Sequence, residues 1–232
     1  MAQLRSPFVR WGRPWGGLTM AVALAVLTSG TAPTDLAAQG EEESMLESIL
    51  RGRTLVLSHA CGECHGGGDN PAGEGWLAGM TGPAQEFSIG DCGPDAEGPC
   101  FLTRARNLTP DNETGLGRFT PRQIFNALRF GLRPGETPDV EITSTTAGEG
   151  NHPASPKYLA PPMPWPAWRH MGDQDLWDIA AYLMHGLKPV ENEVEDSEGP
   201  PDFWASGYTV EEIGPWPADA FPTAAEVAED DG

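Results

Sequence analysis

The chain has 232 residues, with 14 Lys+Arg against 34 Asp+Glu, a formal charge of −20. So few cations exclude an electrostatic nucleic-acid surface, which needs Lys and Arg clustered against phosphates. Gly (29) and Pro (23) are abundant and only 39% of residues are hydrophobic, the composition of a folded, loop-rich chain whose thin core a bound cofactor would help to fill.

Arg5, Arg10 and Arg13 precede an apolar run from Leu18 to Leu27, followed by small and polar residues as far as Leu36-Ala37-Ala38. This is the basic, apolar, small-residue order of a secretory signal. The run is shorter than the ~20 residues a transmembrane helix needs, although counting from Trp15 to Ala32 brings it closer. Residues 1–38 therefore read as a signal peptide cut at Ala38/Gln39, or as an uncleaved anchor, the one case that would place the protein at a membrane. Both readings export the protein, into a compartment where unpaired thiols do not persist.

From Glu43 to Cys61, Met45, Ile49, Gly52 and Val56 recur along one face of a predicted helix. Gly at position 52 costs about 1 kcal/mol against Ala, which a close crossing with another helix explains; Tyr182 and Trp177 are the candidates to rest there. The helix leads into Cys61-Gly62-Glu63-Cys64-His65. Two Cys three apart followed at once by His form the attachment pattern for a c-type haem. Two thiols at that spacing reach neighbouring vinyl groups of the porphyrin, and the adjacent His faces the iron. A zinc site would need a second ligand pair at short spacing, and Cys92/Cys100 are eight apart. A thioredoxin-like redox pair would need strand-rich flanks, which the sequence lacks.

Cys92 and Cys100 bracket a Gly/Pro-rich loop that a disulfide would close. Asn107-Leu108-Thr109-Pro110-Asp111-Asn112-Glu113-Thr114-Gly115-Leu116-Gly117 is built of turn residues, and its two Asn-x-Thr triplets are read as chance. Thr120-Pro121-Arg122-Gln123 signals a capped helix start; that helix turns Ile124, Ala127 and Leu128 inward and stops at Gly131 before Pro134. Residues 136–156 form a polar insertion, expected as a surface excursion, with His152 inside it.

A second axial ligand is expected from Met, the partner of His in electron-transfer haems of high potential. Met163 stands in Leu159-Ala160-Pro161-Pro162-Met163-Pro164-Trp165-Pro166, where four prolines exclude a helix or central strand and hold the thioether rigidly, with Trp165 stacking against the cofactor. Met171 is the alternative ligand. His59 on the entering helix, His185 near the end of another and His170 beside the Met163 loop are read as satisfied or exposed, His170 as a hydrogen-bond donor. The last helix starts at Asp173, carries Leu176, Ile179, Ala180 and Leu183 on one face, and ends near Gly186 or Leu187 before Pro189. Beyond it, residues 191–232 hold many Asp and Glu and no Lys or Arg. Acidic runs are usually solvated, yet Phe203, Trp204, Tyr208, Trp216 and Phe221 are unfavourable to expose together. The aromatic middle is expected to dock, on the preceding domain or on a partner.

The order of helix, Cys61-Gly62-Glu63-Cys64-His65-Gly66, Met loop and closing helix resembles a class I cytochrome c. The match is closer to cytochrome c domains that serve as electron-accepting subunits or partners of bacterial periplasmic dehydrogenases. It is carried by the Asn107–Gly117 segment, by Met163-Pro164-Trp165, and by Met171-Gly172-Asp173-Gln174-Asp175-Leu176, and it spans roughly residues 45–190. The resemblance implies an all-α cytochrome c fold with long Gly/Pro-rich loops, over residues 39–190. One haem c would be bound covalently by Cys61 and Cys64, with His65 and Met163 on the iron. It also implies that Pro71 offers its carbonyl to the ring N–H of His65, and that the Asn107–Gly117 loop lies over the haem edge. The implied activity is electron transfer in the periplasm rather than catalysis, from a dehydrogenase to another cytochrome or a terminal oxidase. Two readings remain beside it: a haem protein with an open or displaceable distal site, and an obligate subunit whose tail is the binding arm.

Overall fold

The computed structural model describes residues 33–80 and 86–216, with only the backbone course given for 33–40. Most of the expected signal, and the end of the tail with Phe221, lie outside the described residues. Helix α1 (Pro33–Ser58) is followed by the five-residue α2 (Cys61–His65), and then by the strands β1 (Glu86–Gly90) and β2 (Cys100–Arg104). The chain continues through α3 (Pro121–Phe130), the single turn α4 (Trp165–Trp168), α5 (Asp173–His185) and the short α6 (Val210–Ile213). Among the described residues no helix is long and apolar enough to cross a membrane.

The expected helix into the haem motif is interrupted. α1 ends at Ser58, and Ala60 takes a left-handed conformation (φ 53°) as the N-cap of α2, an uncommon state for a residue with a Cβ. The break re-aims the chain, so Cys61 and His65 sit on a separate turn instead of continuing the α1 face. Gly52 meets α5 as its placement predicts: a Cβ there would lie 1.8 Å from the Asp178 carbonyl oxygen and 2.8 Å from the Tyr182 Cβ. Trp177 instead stacks on Phe125, with centroids 4.5 Å apart. Met45, expected on the same inward face, is 45% exposed. Ile49 meets Gly186, just past the last residue of α5, and Ser48 still reaches Asp178; Met45, a turn earlier, lies beyond this crossing.

α3 forms as its capping signals require. The Thr120 side chain accepts from the Gln123 backbone N–H, the Gln123 side chain accepts from the Thr120 N–H, and Gly131 closes the helix with φ 67°. The core joins Val56 of α1, Ile124 and Leu128 of α3, and Leu176, Ile179 and Leu183 of α5 with Trp76, Leu77 and Leu116 from the loops.

The all-α expectation misses the β1–β2 hairpin, antiparallel with Gly90 opposite Cys100 and Phe87 opposite Thr103. Cys92 and Cys100 are joined by a disulfide, Cα–Cα 4.9 Å, beside the turn. The polar insertion is not wholly a surface excursion: Ile142 packs with Phe130 and Leu132, and Thr137 and His152 are buried. The Met163 segment turns at 161–163, where the Met163 N–H bonds the Ala160 carbonyl at 2.9 Å, and then makes the helical turn α4, against the expectation that its prolines exclude one. Pro166 lies in the first turn of α4, where a missing N–H leaves no intrahelical bond unmade.

The tail docks on the body of the protein. Val194 and Trp204 are buried, Leu102 of β2 and Glu198 exchange backbone hydrogen bonds of 2.8 and 2.9 Å, and Trp204 packs on Phe101 with centroids 4.9 Å apart.

Candidate functional site

A cavity of about 810 Å³ opens between α2, α3, α5, β2 and the Met163 segment, inside the roughly 300–1,000 Å³ range of sites for small molecules and cofactors. Cys61, Cys64 and His65 line it together with Met163. Much of the remaining wall is apolar, formed by residues such as Val56, Leu116, Phe119, Ile124, Leu128, Ile179 and Leu183. Chain elements separated by about a hundred residues thus bring the two thiols, one imidazole and one thioether to a single hollow.

Local backbone chemistry sets the thiol side. Gly66, Gly67 and Gly68 have φ of 96°, 90° and 51°, which glycine adopts without steric cost, and they fold the chain back on α2. The Gly68 N–H bonds the Gly62 carbonyl at 3.1 Å and the Gly79 N–H bonds the His65 carbonyl at 2.7 Å. Cys61 and Cys64 are each half-buried and, unlike Cys92 and Cys100, are not joined by a disulfide. Burial pushes the Cys61 thiol up to about 11, against a backbone hydrogen bond that lowers it.

His65 Nδ1 lies 2.7 Å from the carbonyl oxygen of Arg106. A carbonyl only accepts, so Nδ1 carries the proton and Nε2 keeps its lone pair. This corrects the expectation for Pro71: the carbonyl comes from Arg106, because the glycine turn returns the chain past His65 while the Arg106 backbone runs alongside. Pro71 is not among the cavity-lining residues. Enclosure by protein pulls the imidazole below its usual pKa, against the opposing effect of the Arg106 bond, so the ring is neutral, the form in which a histidine binds a metal.

Asn107 also lines the cavity, but its amide is fully committed. Nδ2 donates to Thr114 Oγ1 (2.9 Å) and the Val190 carbonyl (2.7 Å), and Oδ1 accepts from the Thr109 N–H and hydroxyl. It therefore ties the 107–117 loop to the start of the tail. Trp165 does not line the cavity. It lies behind the Met163 segment, 2% exposed, stacked on Tyr158 at 5.9 Å and against Gly131, where a Cβ would come within 2.1 Å of the indole. His59, at the cavity edge, bonds the Leu55 carbonyl through Nδ1 at 2.7 Å. His170 donates to the Ile213 carbonyl at 3.3 Å, as read from the sequence. Met171 packs on the core and does not line the cavity.

The sequence reading missed the cationic wall. Arg104, Arg106, Arg118 and Arg133 all line the cavity, a concentration at odds with a chain holding only 14 Lys and Arg. Arg104 is 7% exposed; it pairs with Glu86, Glu195 and Glu198, yet its Nε has no partner. A haem fits this donor set: two thiols for its vinyl groups, a neutral imidazole and a thioether for its iron, apolar walls for the ring, and arginines for its two carboxylates. The only advance signal for the arginines was their rarity and the spacing of Arg104 and Arg106.

No protein-family model matches the chain. The chain is 27% identical over 187 residues to the fructose dehydrogenase cytochrome subunit of Gluconobacter japonicus, covering 79% of this chain and 30% of the relative. It is 26% identical over 182 residues to the gluconate 2-dehydrogenase cytochrome c subunit of Pantoea cypripedii, covering 78% and 32%. With the cytochrome c subunit of the alcohol dehydrogenase (quinone) of Gluconacetobacter polyoxogenes it shares 31% over 99 residues, covering 42% and 17%. The chain spans about a third or less of the length of these relatives. Along its sequence the chain is thus similar to cytochrome and cytochrome c subunits of dehydrogenases.

Proposed function

We propose that the chain is a mono-haem c-type cytochrome of the class I kind that transfers electrons and is not an enzyme by itself. The observation that carries the reading is the meeting of Cys61, Cys64, His65 and Met163 around one cavity, with the His65 ring oriented by the Arg106 carbonyl. Haem, when bound, supplies a one-electron couple. Cys61 and Cys64 anchor it covalently, and His65 offers Nε2. Met163 offers its thioether from a segment whose prolines fix φ, so little rearrangement accompanies a change of charge. Arg104, Arg106, Arg118 and Arg133 line the same cavity and would be the cations available to the haem carboxylates.

The protein is exported to the periplasm, and residues 1–38 are either removed or kept as an anchor. Its donor is a dehydrogenase and its acceptor another cytochrome or a terminal oxidase, with the acidic surface steering basic partner surfaces. The test is the absorption spectrum of the ferric and ferrous protein, made with haem-attachment machinery, beside Met163→Ala. A low-spin spectrum whose weak far-red methionine–iron band disappears in the variant is the expected result. A high-spin spectrum, or one indifferent to Met163, would replace electron transfer with ligand binding or catalysis at an open iron.

A further inference from the structure

A second cleft, of about 280 Å³, lies away from the cavity where α4 hands over to α5, and Arg129, Arg169, His170, Gly172, Asp173 and Trp216 line it. Its two arginines are 2% and 4% exposed but differ in how they are satisfied. Arg129 donates to the carbonyls of Arg169 and Met171 and pairs with Asp173, so it works as a clamp between the two helices. Arg169 has no such role. Its Nε is buried without a hydrogen-bond partner, its guanidinium lies 5.9 Å from the Trp165 ring, and no ion pair among the described residues includes it.

A buried cation left unpaired is destabilising, and here burial and the nearby Arg129 both lower the pKa of Arg169, against the opposing effect of Tyr158. The one carboxylate lining the cleft, Asp173, is taken by Arg129, and among the described residues no Asp or Glu pairs with Arg169. The start of α5, a helix of 13 residues with no side-chain cap and with Asp173 and Asp175 in its first turn, borders the same cleft through Gly172 and Asp173 and adds backbone N–H groups and the positive end of a helix dipole.

We propose that this cleft binds a small oxyanion, a carboxylate or phosphate, held by the Arg169 guanidinium with the first turn of α5 as second donor. The planar fork of Arg suits two oxygens of one anion, and the volume, at the low end for ligand sites, suits a small one. Occupancy ties the end of α4 to the start of α5. The anion has two possible sources, free in solution or carried by the chain itself, whose sequence after Trp216 includes Asp219, Glu226, Glu229, Asp230 and Asp231.

The experiment is calorimetric titration of the full chain with inorganic phosphate and with acetate. It compares wild type, Arg169→Gln, Arg169→Lys, and a full-length variant with those five carboxylates changed to Asn or Gln, and circular dichroism checks folding. Binding of one anion that weakens at least tenfold in R169Q, and less in R169K, is the expected result; if R169Q does not fold, R169K carries the comparison. Phosphate binding at least tenfold tighter in the carboxylate-neutralised chain than in wild type identifies the chain itself as the native source. Absence of binding in both wild type and the neutralised chain, or binding indifferent to Arg169, overturns the proposal.

Discussion

Asp178 carries no exposed surface, yet it sits on α5 with its carboxylate charged. It accepts from Ser48, from Arg51 Nε at 2.6 Å and from Gln174 at 2.8 Å. Burial alone would raise its pKa, but the hydrogen bonds from Arg51, Ser48 and Gln174 outweigh burial and hold it below the ordinary carboxylate value. A carboxyl whose folded pKa is depressed stabilises the fold above its unfolded pKa of about 3.9, and that contribution disappears as pH falls through the folded value. Asp178→Asn is therefore expected to cost about 1–3 kcal/mol near neutral pH, the scale for disrupting a buried hydrogen-bonded group. In urea unfolding the gap between wild type and variant should narrow as pH drops below about 4; a gap independent of pH would mean that the charge is not what the site stabilises. Legibility at this scale follows sequence distance. Cys61, Cys64 and His65 state their chemistry within five residues, and the prolines around Met163 state its rigidity. The carbonyl that orients His65 comes from a residue 41 positions away, and a backbone group leaves no mark in the sequence.

Helix α1 shows how an element can be read from a residue that weakens it. Gly52 is unfavourable in an isolated helix, and its reward is the approach of α5 to within a distance that leaves no room for a methyl group. Gly52→Ala separates the two effects, since Ala improves helix propensity by about 1 kcal/mol while overpacking a rigid crossing costs typically 1–3 kcal/mol. The atom a Cβ would meet first is the backbone oxygen of Asp178, which cannot rotate aside, so the loss should exceed the gain. Thermal unfolding of G52A should show a lower midpoint than wild type, and an unchanged or higher midpoint would show that the helices can separate cheaply. The helices α3 and α5 were legible for related reasons: a capping box and αL glycine bound the one, and a periodic apolar face marks the other. The β1–β2 hairpin was not. Its strands are five residues each, and the Gly, Pro and Asp between them read as loop, while the pairing with Glu198 that supports β2 comes from the far end of the chain.

For the molecule as a whole, the question is why a strongly acidic tail stays on an already acidic body. Two forces hold it, and their sizes differ. The first is charge: Arg106 meets Asp196 and Arg104 meets Glu195 and Glu198, pairs whose acids are exposed and which are worth roughly 0–1 kcal/mol each and weaken with salt, while Arg133 meets the less exposed Asp202. The second is apolar burial, with Trp204 8% exposed between Phe101 and Phe203, and truncating a buried aromatic costs about 3–5 kcal/mol. The sequence revealed both ingredients, the acids and the aromatics, but not their address, because a partner surface would have suited them equally well. The magnitudes favour the aromatics as the main tether. Trp204→Ala should therefore raise amide hydrogen exchange through residues 194–208 and lower the unfolding midpoint of the whole protein, since β2 and the arginine wall of the cavity lose their cover together. Raising sodium chloride on the wild type should leave the same amides protected. Loss of protection in salt with little effect of W204A would reverse the ranking and make the tail an electrostatic strap.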